Sequence, residues 1–290
     1  MPHKDHKVHF KFCDMEDRYS SWEKSRIVIL PVPYDMTTSY KPGTSSGPKA
    51  IIDASRYMET YDDETGKEIY KLGIYTGEEI KPANPKPEEV IKIIEKETSR
   101  ILKAGKFPVI LGGEHSITLG VVRALKKRFK DFCVLQIDAH RDLRDTFQGS
   151  RYSHACIAKR IIEITSLTQV GIRSLSKDES AKVYKNLKTF FMKDILKDKN
   201  WIRDVIDSLD SEKVYVTIDM DAFDPSIMPS VGTPEPGGMG WYETLELLKG
   251  LAEKKDVLGF DAVELAPMPA NISPDFLTAK LVYKFLNYIF

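Results

Sequence analysis

Read for polarity alone, the chain alternates between two textures. Short runs are apolar at nearly every position: "SRIVILPVP" (25–33), "FPVILGG" (107–113), "FCVLQID" (132–138), "LTQVGIR" (167–173), "KVYVTID" (213–219) and "DVLGFDAVE" (256–264). They are rich in β-formers and lack the every-second-residue alternation of a half-solvated strand, so they predict strands covered on both faces. Between them run longer segments with helical spacing, at 87–105, 116–130 and "TAKLVYKFLNYIF" (278–290). Strand and helix in alternation predict an α/β fold: a three-layer α/β/α sandwich with a central, mostly parallel sheet. No internal repeat, low-complexity tract or linker divides it. Residues 1–24 therefore read as an N-terminal arm and 25–290 as a single domain. The closing helix, with Tyr283, Phe285, Tyr288 and Phe290, is expected to pack on the core.

Composition narrows the partners. Formal net charge is zero and the pI about 7, so no global field draws the protein to nucleic acid or an anionic membrane. No apolar run approaches the ~18 residues of a membrane span, and "MPHKDHKVHF" lacks the apolar centre of a signal peptide. Three cysteines without a CxxC pair suit a reducing compartment. The expectation is a cytoplasmic protein. Only three Gln and five Asn, against abundant Lys, Glu and Ile, hint at a thermophile.

The chemistry gathers where strands end. Parallel sheets bind ligands beyond the carboxyl ends of their strands, and there the chain places Glu114 and His115, then Asp138, His140 and Asp142, then Asp219, Asp221 and Asp224, and finally Glu264. In "VLQIDAHRDLRD" (134–145) a buried strand runs straight into crowded acids, which is costly unless a cation lies among them. The i, i+2, i+4 spacing of Asp138, His140 and Asp142 puts three side chains on one side of an extended segment. Asp219 and Asp221 repeat that geometry. Carboxylates with imidazole, and no cysteine, favour a borderline-hard divalent ion such as Mn²⁺. Six such ligands exceed what one ion needs, whereas two ions about 3.5–4 Å apart share bridging carboxylates naturally.

Blander readings hold elsewhere. His3, His6 and His9 belong to a charged terminus and are set aside. Asp224, before Pro225, reads as a turn residue, and "GTPEPGG" (232–238) as turn chemistry shaping a pocket wall. Glu114 is expected to orient a neighbour, and Asp145 to lie at the surface or behind the site. "GGEHS" is followed by no GK[ST], so no phosphate loop forms. No GxSxG exists, and Cys156 reads as a buried small side chain.

Several segments, in order, resemble the signature stretches of the ureohydrolases, the arginase/agmatinase family, with the agmatinase branch fitting best. They are "VILGGEHSITLG" (109–120), "DAHRDLRD" (138–145), "YSHACIAKR" (152–160), "TIDMDAFDPSIMPSVGTPEPGG" (217–238) and "DAVELAP" (261–267), with "PVPYDMTTSYKPGTSSGPKAI" (31–51) resembling the agmatinase N-terminal segment. The resemblance covers residues 25 to 290, which makes that span the catalytic domain. It implies two Mn²⁺ ions per chain, one held by His115, Asp138, Asp142 and Asp219, the other by His140, Asp138, Asp219 and Asp221. It also implies that water activated between the ions hydrolyses agmatine to putrescine and urea. Asp142 would carry a proton, His154 would shuttle protons and touch substrate, and Glu264 would pair with the guanidinium. A homo-oligomer, trimer or hexamer, is implied too.

The chain also departs from the family pattern. Arg141 stands where relatives carry a small or neutral residue and is expected to point away from the metals. Ala155 replaces a glycine, and "APMPANISPDF" (266–276) differs from the usual segment after the glutamate. "TFQGSRYS" (146–153) does not match the stretch of Asn and Ser side chains by which arginases read an amino acid, which argues for a decarboxylated guanidine. N1-aminopropylagmatine is the serious rival substrate. Guanidinobutyrate would need a cation at the mouth, with Arg151 the candidate. A single-metal deacetylase-like enzyme or a non-catalytic binding protein fits a complete ligand set less well.

Overall fold

Every residue of Ile27–Val32 and Cys133–Ile137 is buried, which a strand achieves only when both of its faces are covered. The computed structural model describes residues 10–81 and 85–290. In chain order the strands are β1 (Ile27–Val32), β2 (Ile74–Thr76), β3 (Phe107–Gly112), β4 (Cys133–Ile137), β5 (Ser166–Ile172), β6 (Leu187–Phe191), β7 (Lys213–Asp219) and β8 (Asp256–Val263). They form one sheet in the order β2-β1-β3-β8-β7-β4-β5-β6. Every neighbouring pair is parallel, so the sheet is parallel throughout. The six expected strands are all present, and the two that the pattern did not predict, β2 and β6, are its edges.

Alternate residues of each strand feed opposite cores. Ile27 and Ile29 join one, Val28 and Leu30 the other. The first core is closed by helices Gly47–Ser55, Trp201–Asp207, Trp241–Lys254 and Ser273–Ile289, the second by Pro87–Lys103, Thr118–Arg128 and Ile157–Ile162. This is the expected three-layer sandwich. Helix Pro87–Lys103 begins with proline and Glu88–Glu89 and ends with Arg100 and Lys103, each suited to its end of the helix dipole. Helix Ser273–Ile289 starts five residues before the predicted segment because Pro274 opens it. Its Tyr283 and Phe285 are fully buried, and Phe285 lies 4.8 Å, centroid to centroid, from Phe260 of β8. Burying one such side chain contributes about 1.5–3 kcal/mol.

Residues 10–24 are fastened to the sheet edge. Phe12 is fully buried and its N–H donates to Thr76 Oγ1 of β2 at 2.9 Å. His3, His6 and His9 lie outside the described residues. Among the described residues no helix is long and apolar enough to cross a membrane.

The topology decides where a site can form. The chain leaves β3 through helix Thr118–Arg128 and enters β4 three places away, and β7 and β8 later fill the gap. The carboxyl ends of β3, β8, β7 and β4 thus stand side by side, where such a sheet opens its crevice.

Candidate metal centre

Each of those four ends delivers residues singled out in the sequence. β3 is followed by Glu114 and His115, β4 by Asp138, His140 and Asp142, β7 ends in Asp219 with Asp221 just beyond, and β8 is followed by Glu264. Gly113 lets the first of these turns form: a Cβ there would fall 1.8 Å from the carbonyl oxygen of Tyr34. The backbone crossing at that point is what anchors the 31–51 segment over the site, with Glu114 N–H donating to Tyr34 O at 2.7 Å.

Two candidate ligand groups emerge and share Asp138: His115, Asp138 and Asp219 in one, Asp138, His140 and Asp221 in the other. His115 Nδ1 lies 3.1 Å from Asp138 Oδ2 and 3.1 Å from Asp219 Oδ2. Asp142 Oδ2 is 3.6 Å from the same nitrogen. His140 Nδ1 is 2.8 Å from Asp221 Oδ2 and 3.8 Å from Asp138 Oδ1. His115 Nδ1 is also a buried atom without a hydrogen-bond partner. A buried imidazole nitrogen with no partner, facing three carboxylates, fits a divalent cation between them. All six predicted ligands converge, although Asp142 stands beside the first group and Asp219 belongs to that group alone.

Electrostatics point the same way. Burial, then repulsion from neighbouring carboxylates, raises Asp138, Asp142 and Asp219 above the ordinary range. Burial opposes the charging of His140 too, yet Asp221 pushes it up to about 11, and His115 rises likewise between Asp138 and Asp219. Asp221, against its own burial, is drawn down to about 2 by His140. Such a cluster demands positive charge, from protons if from nothing else. A divalent ion meets that demand without protonating the ligands.

Hydrogen bonds fix the ligands in place. His115 Nε2 faces Thr217 Oγ1 at 2.8 Å, which leaves Nδ1 as the free donor atom. Asp138 Oδ2 accepts from Gln136 Nε2 at 2.6 Å, and Gln136 Oε1 accepts from Gln169 Nε2 at 2.9 Å. Asp221 Oδ1 accepts from the Ala139 N–H at 3.1 Å, and Asp219 Oδ1 from the Asp221 N–H at 2.8 Å. Sequence reasoning missed Thr217 and Gln136, yet each stands two residues before a ligand, on the same face of a strand. A polar residue at a buried strand position was the signal.

A cavity of about 290 Å³ opens beside the cluster, walled by His140, Asp142, His154, Asp219, Asp221 and Glu264 among others. Glu264 is almost wholly buried, and its Oε1 accepts from the His115 N–H at 2.6 Å. Burial first, then the charge of Glu114, raises it to about 8. Asp142 (φ 49°) and Glu264 (φ 65°) both hold left-handed backbone, a strain of order 1–3 kcal/mol that clusters at functional positions. His154 is clear of both ligand groups: Ser39 Oγ is 2.9 Å from its Nε2, and Thr37 Oγ1 is 3.3 Å from its Nδ1. Burial lowers it to about 4, so it is neutral at pH 7. Glu114 orients a neighbour, accepting from Thr37 N–H and Thr37 Oγ1, each at 2.6 Å. Thr37 in turn accepts from the His154 N–H at 3.0 Å.

The remaining candidates fall where other chemistry explains them. Arg141 points away from the ligands, donating to the carbonyls of Glu179 and Lys182. Asp224 is a turn residue, accepting from the N–H groups of Ser226, Gly237 and Gly238. Arg151 faces Asp145 and Glu163 at 3.6 and 3.5 Å and is absent from the cavity wall. Cys156 is buried with its thiol pushed up to about 11, which removes it as a nucleophile.

Residues 25–287 match the Arginase family model. The chain is 41% identical over 277 residues to the N(1)-aminopropylagmatine ureohydrolase of Synechocystis, covering 93% of this chain and 90% of that protein. It is 36% identical over 279 residues to the agmatinase of Pyrococcus horikoshii, covering 94% and 95%. The crystal structure of the agmatine ureohydrolase of Thermoplasma volcanium superposes with a TM-score of 0.86 at 33% identity, covering 97% of this chain and 94% of that one.

Proposed function

The chain belongs to the arginase family, and from that premise we propose that its shared-carboxylate cluster holds two Mn²⁺ ions and hydrolyses agmatine to putrescine and urea. It is an agmatinase-type ureohydrolase, a hydrolase of guanidino groups. The observation that carries the finer reading is Asp138, common to two ligand groups of one histidine and two carboxylates each. His115, Asp138, Asp142 and Asp219 would hold one ion, and His140, Asp138, Asp219 and Asp221 the other. Bound there, such a pair supplies a water that is deprotonated near neutral pH.

The chain's own side chains supply the rest. Glu264, almost wholly buried and raised to about 8, is costly as a lone anion. A guanidinium beside it favours ionisation, and its planar fork matches the carboxylate. That pairing turns the substrate's reactive carbon towards the cluster. Asp142, on the wall of the same cavity, would carry a proton to the nitrogen that leaves. His154 is neutral and held by the hydroxyls of Thr37 and Ser39; it accepts and returns protons at the cavity wall. An amine and urea are the products.

A second reading, N1-aminopropylagmatine as substrate with spermidine as product, is favoured by the 41% identity to the cyanobacterial protein of that name. Guanidinobutyrate is disfavoured because Arg151 is engaged elsewhere. Urea release from Mn²⁺-loaded protein, with a chelated control, is the test. Agmatine, N1-aminopropylagmatine, guanidinobutyrate and arginine are supplied at equal concentration. Chelator-sensitive turnover of agmatine at the highest kcat/KM supports the proposal, a clear preference for the aminopropyl compound supports the second reading, and no urea from any overturns both. Assembly as a trimer or hexamer belongs to the same proposal and is read by light scattering.

A further inference from the structure

Arg173 has no part in the reading above, yet it makes more polar contacts than any ligand. It follows β5, whose last turn passes through Gly171 (φ 92°), where a register shift in the β5–β6 pairing bends the strand. A Cβ at Gly171 would lie 3.1 Å from the Asp138 carbonyl oxygen, so the bend also brings β5 hard against the end of β4.

The guanidinium gathers backbone carbonyls from three segments. Nη2 donates to Asp221 O at 2.7 Å, Phe223 O at 3.2 Å and Glu235 O at 2.8 Å. Nη1 donates to Gly171 O and Ala222 O, both at 3.2 Å, and Nε to Pro236 O at 3.1 Å and Glu235 O at 3.3 Å. Asp221 to Phe223 form the turn that carries a ligand of the second group. Glu235 and Pro236 continue the loop whose Gly232 and Thr233 line the cavity. Carbonyl oxygens from both loops converge on one cation, and no neutral side chain has five donors in a plane to satisfy them.

We propose that Arg173 is a positioning residue that clasps the ligand turn at Asp221 to the cavity wall at 232–236. One guanidinium thereby sets both retention of the ion at Asp138, His140 and Asp221 and the KM for the guanidino substrate. The inference rests on the two-ion reading. Removing Arg173 frees the carbonyl of Asp221, lets that turn rotate and moves its carboxylate off the ion. The ion at His115, Asp138 and Asp219 would be held by side chains that Arg173 does not contact and is spared.

The experiment compares wild type, R173M and R173K, loaded with Mn²⁺ and dialysed against a weak chelator. Metal per chain, the electron paramagnetic resonance spectrum and KM are followed. A variant of the fully buried Leu248, Leu248→Ala, serves as the stability control, with the Tm of each variant measured beside it. R173M is expected to bind one ion per chain about 10- to 100-fold more weakly than wild type, the range typical for residues that orient a ligand. The spectrum of a coupled manganese pair should give way to that of an isolated ion, and KM should rise. Low millimolar guanidinium should restore the second ion, and R173K should fall between. If R173M does not fold, R173K is judged by the same readings. Two ions retained with wild-type affinity and unchanged KM, or losses no greater than in Leu248→Ala, overturn the clasp. Wild type that never binds two ions overturns the metal reading instead.

Discussion

At the scale of single residues, the difference between a ligand and a bystander is whether metal leaves with the side chain. Asp138 belongs to both groups and His140 to one, so Asp138→Asn and His140→Ala are each expected to weaken metal binding at least ~10-fold as well as slow turnover, since even residues that only orient a ligand cost that much. His154 touches neither group, and His154→Asn should keep its metal while kcat falls about 100-fold, the lower end for lost acid–base help. Metal analysis beside urea release separates the two classes, and full metal content in the Asp138 and His140 variants would sink the ligand assignment. The acids and histidines stood out in the sequence because charge crowded against an apolar strand has no ordinary explanation. Arg173 was not legible in the same way. An arginine just past a strand is commonplace, and its meaning depends on carbonyls from residues 221–223 and 235–236 that only the fold brings to it.

Whole elements were legible in proportion to their burial. Strands β1, β4 and β7 announced themselves because both faces are covered, and every position then selects for apolar residues. Strand β6, Leu187–Phe191, is half-buried at all five positions and reads "LKTFF", and β2 has only three residues. At an edge, one row of neighbours is missing and the polarity signal fades with it. The segment at 31–51 shows the complementary limit: its motif was recognisable, but not its attachment. Besides the backbone crossing at Tyr34, Thr37 is a second point of attachment, bonded to Glu114 and to His154. Thr37→Val keeps the shape and deletes the hydroxyl, leaving Glu114 Oε1 with Ser116 Oγ alone and the His154 N–H without its acceptor, at a cost of about 1–3 kcal/mol. Thermal unfolding should show a Tm lower by a few degrees, and kinetics a reduced kcat/KM with both ions still bound. An unchanged Tm and rate would mean that the segment is held without Thr37.

For the molecule as a whole, the cluster is a standing charge defect in the fold unless cations fill it. Asp138, Asp142 and Asp219 are all harder to ionise folded than unfolded, through burial and then mutual repulsion. Such an acid stabilises the fold below its unfolded pKa, near 4, and that stabilisation is lost as pH rises towards the folded value. Asp221 runs the other way, its value about 2 sustained by His140, but it is one carboxylate against three. Metal-free protein should therefore lose stability as pH climbs from 4 to 7, through the terms these acids contribute. Metal reverses the trend, because binding the folded state alone adds RT ln(1 + [L]/Kd), about 2.7 kcal/mol for one site at a hundredfold excess over Kd. Protons compete for the same carboxylates and imidazoles, so the gain shrinks in acid. Scanning calorimetry with chelator and with Mn²⁺ at pH 5 and pH 7 should give the larger rise in Tm at pH 7. An equal rise at both would show that these carboxylates do not exchange protons for metal, and the shared-carboxylate site would have to be given up.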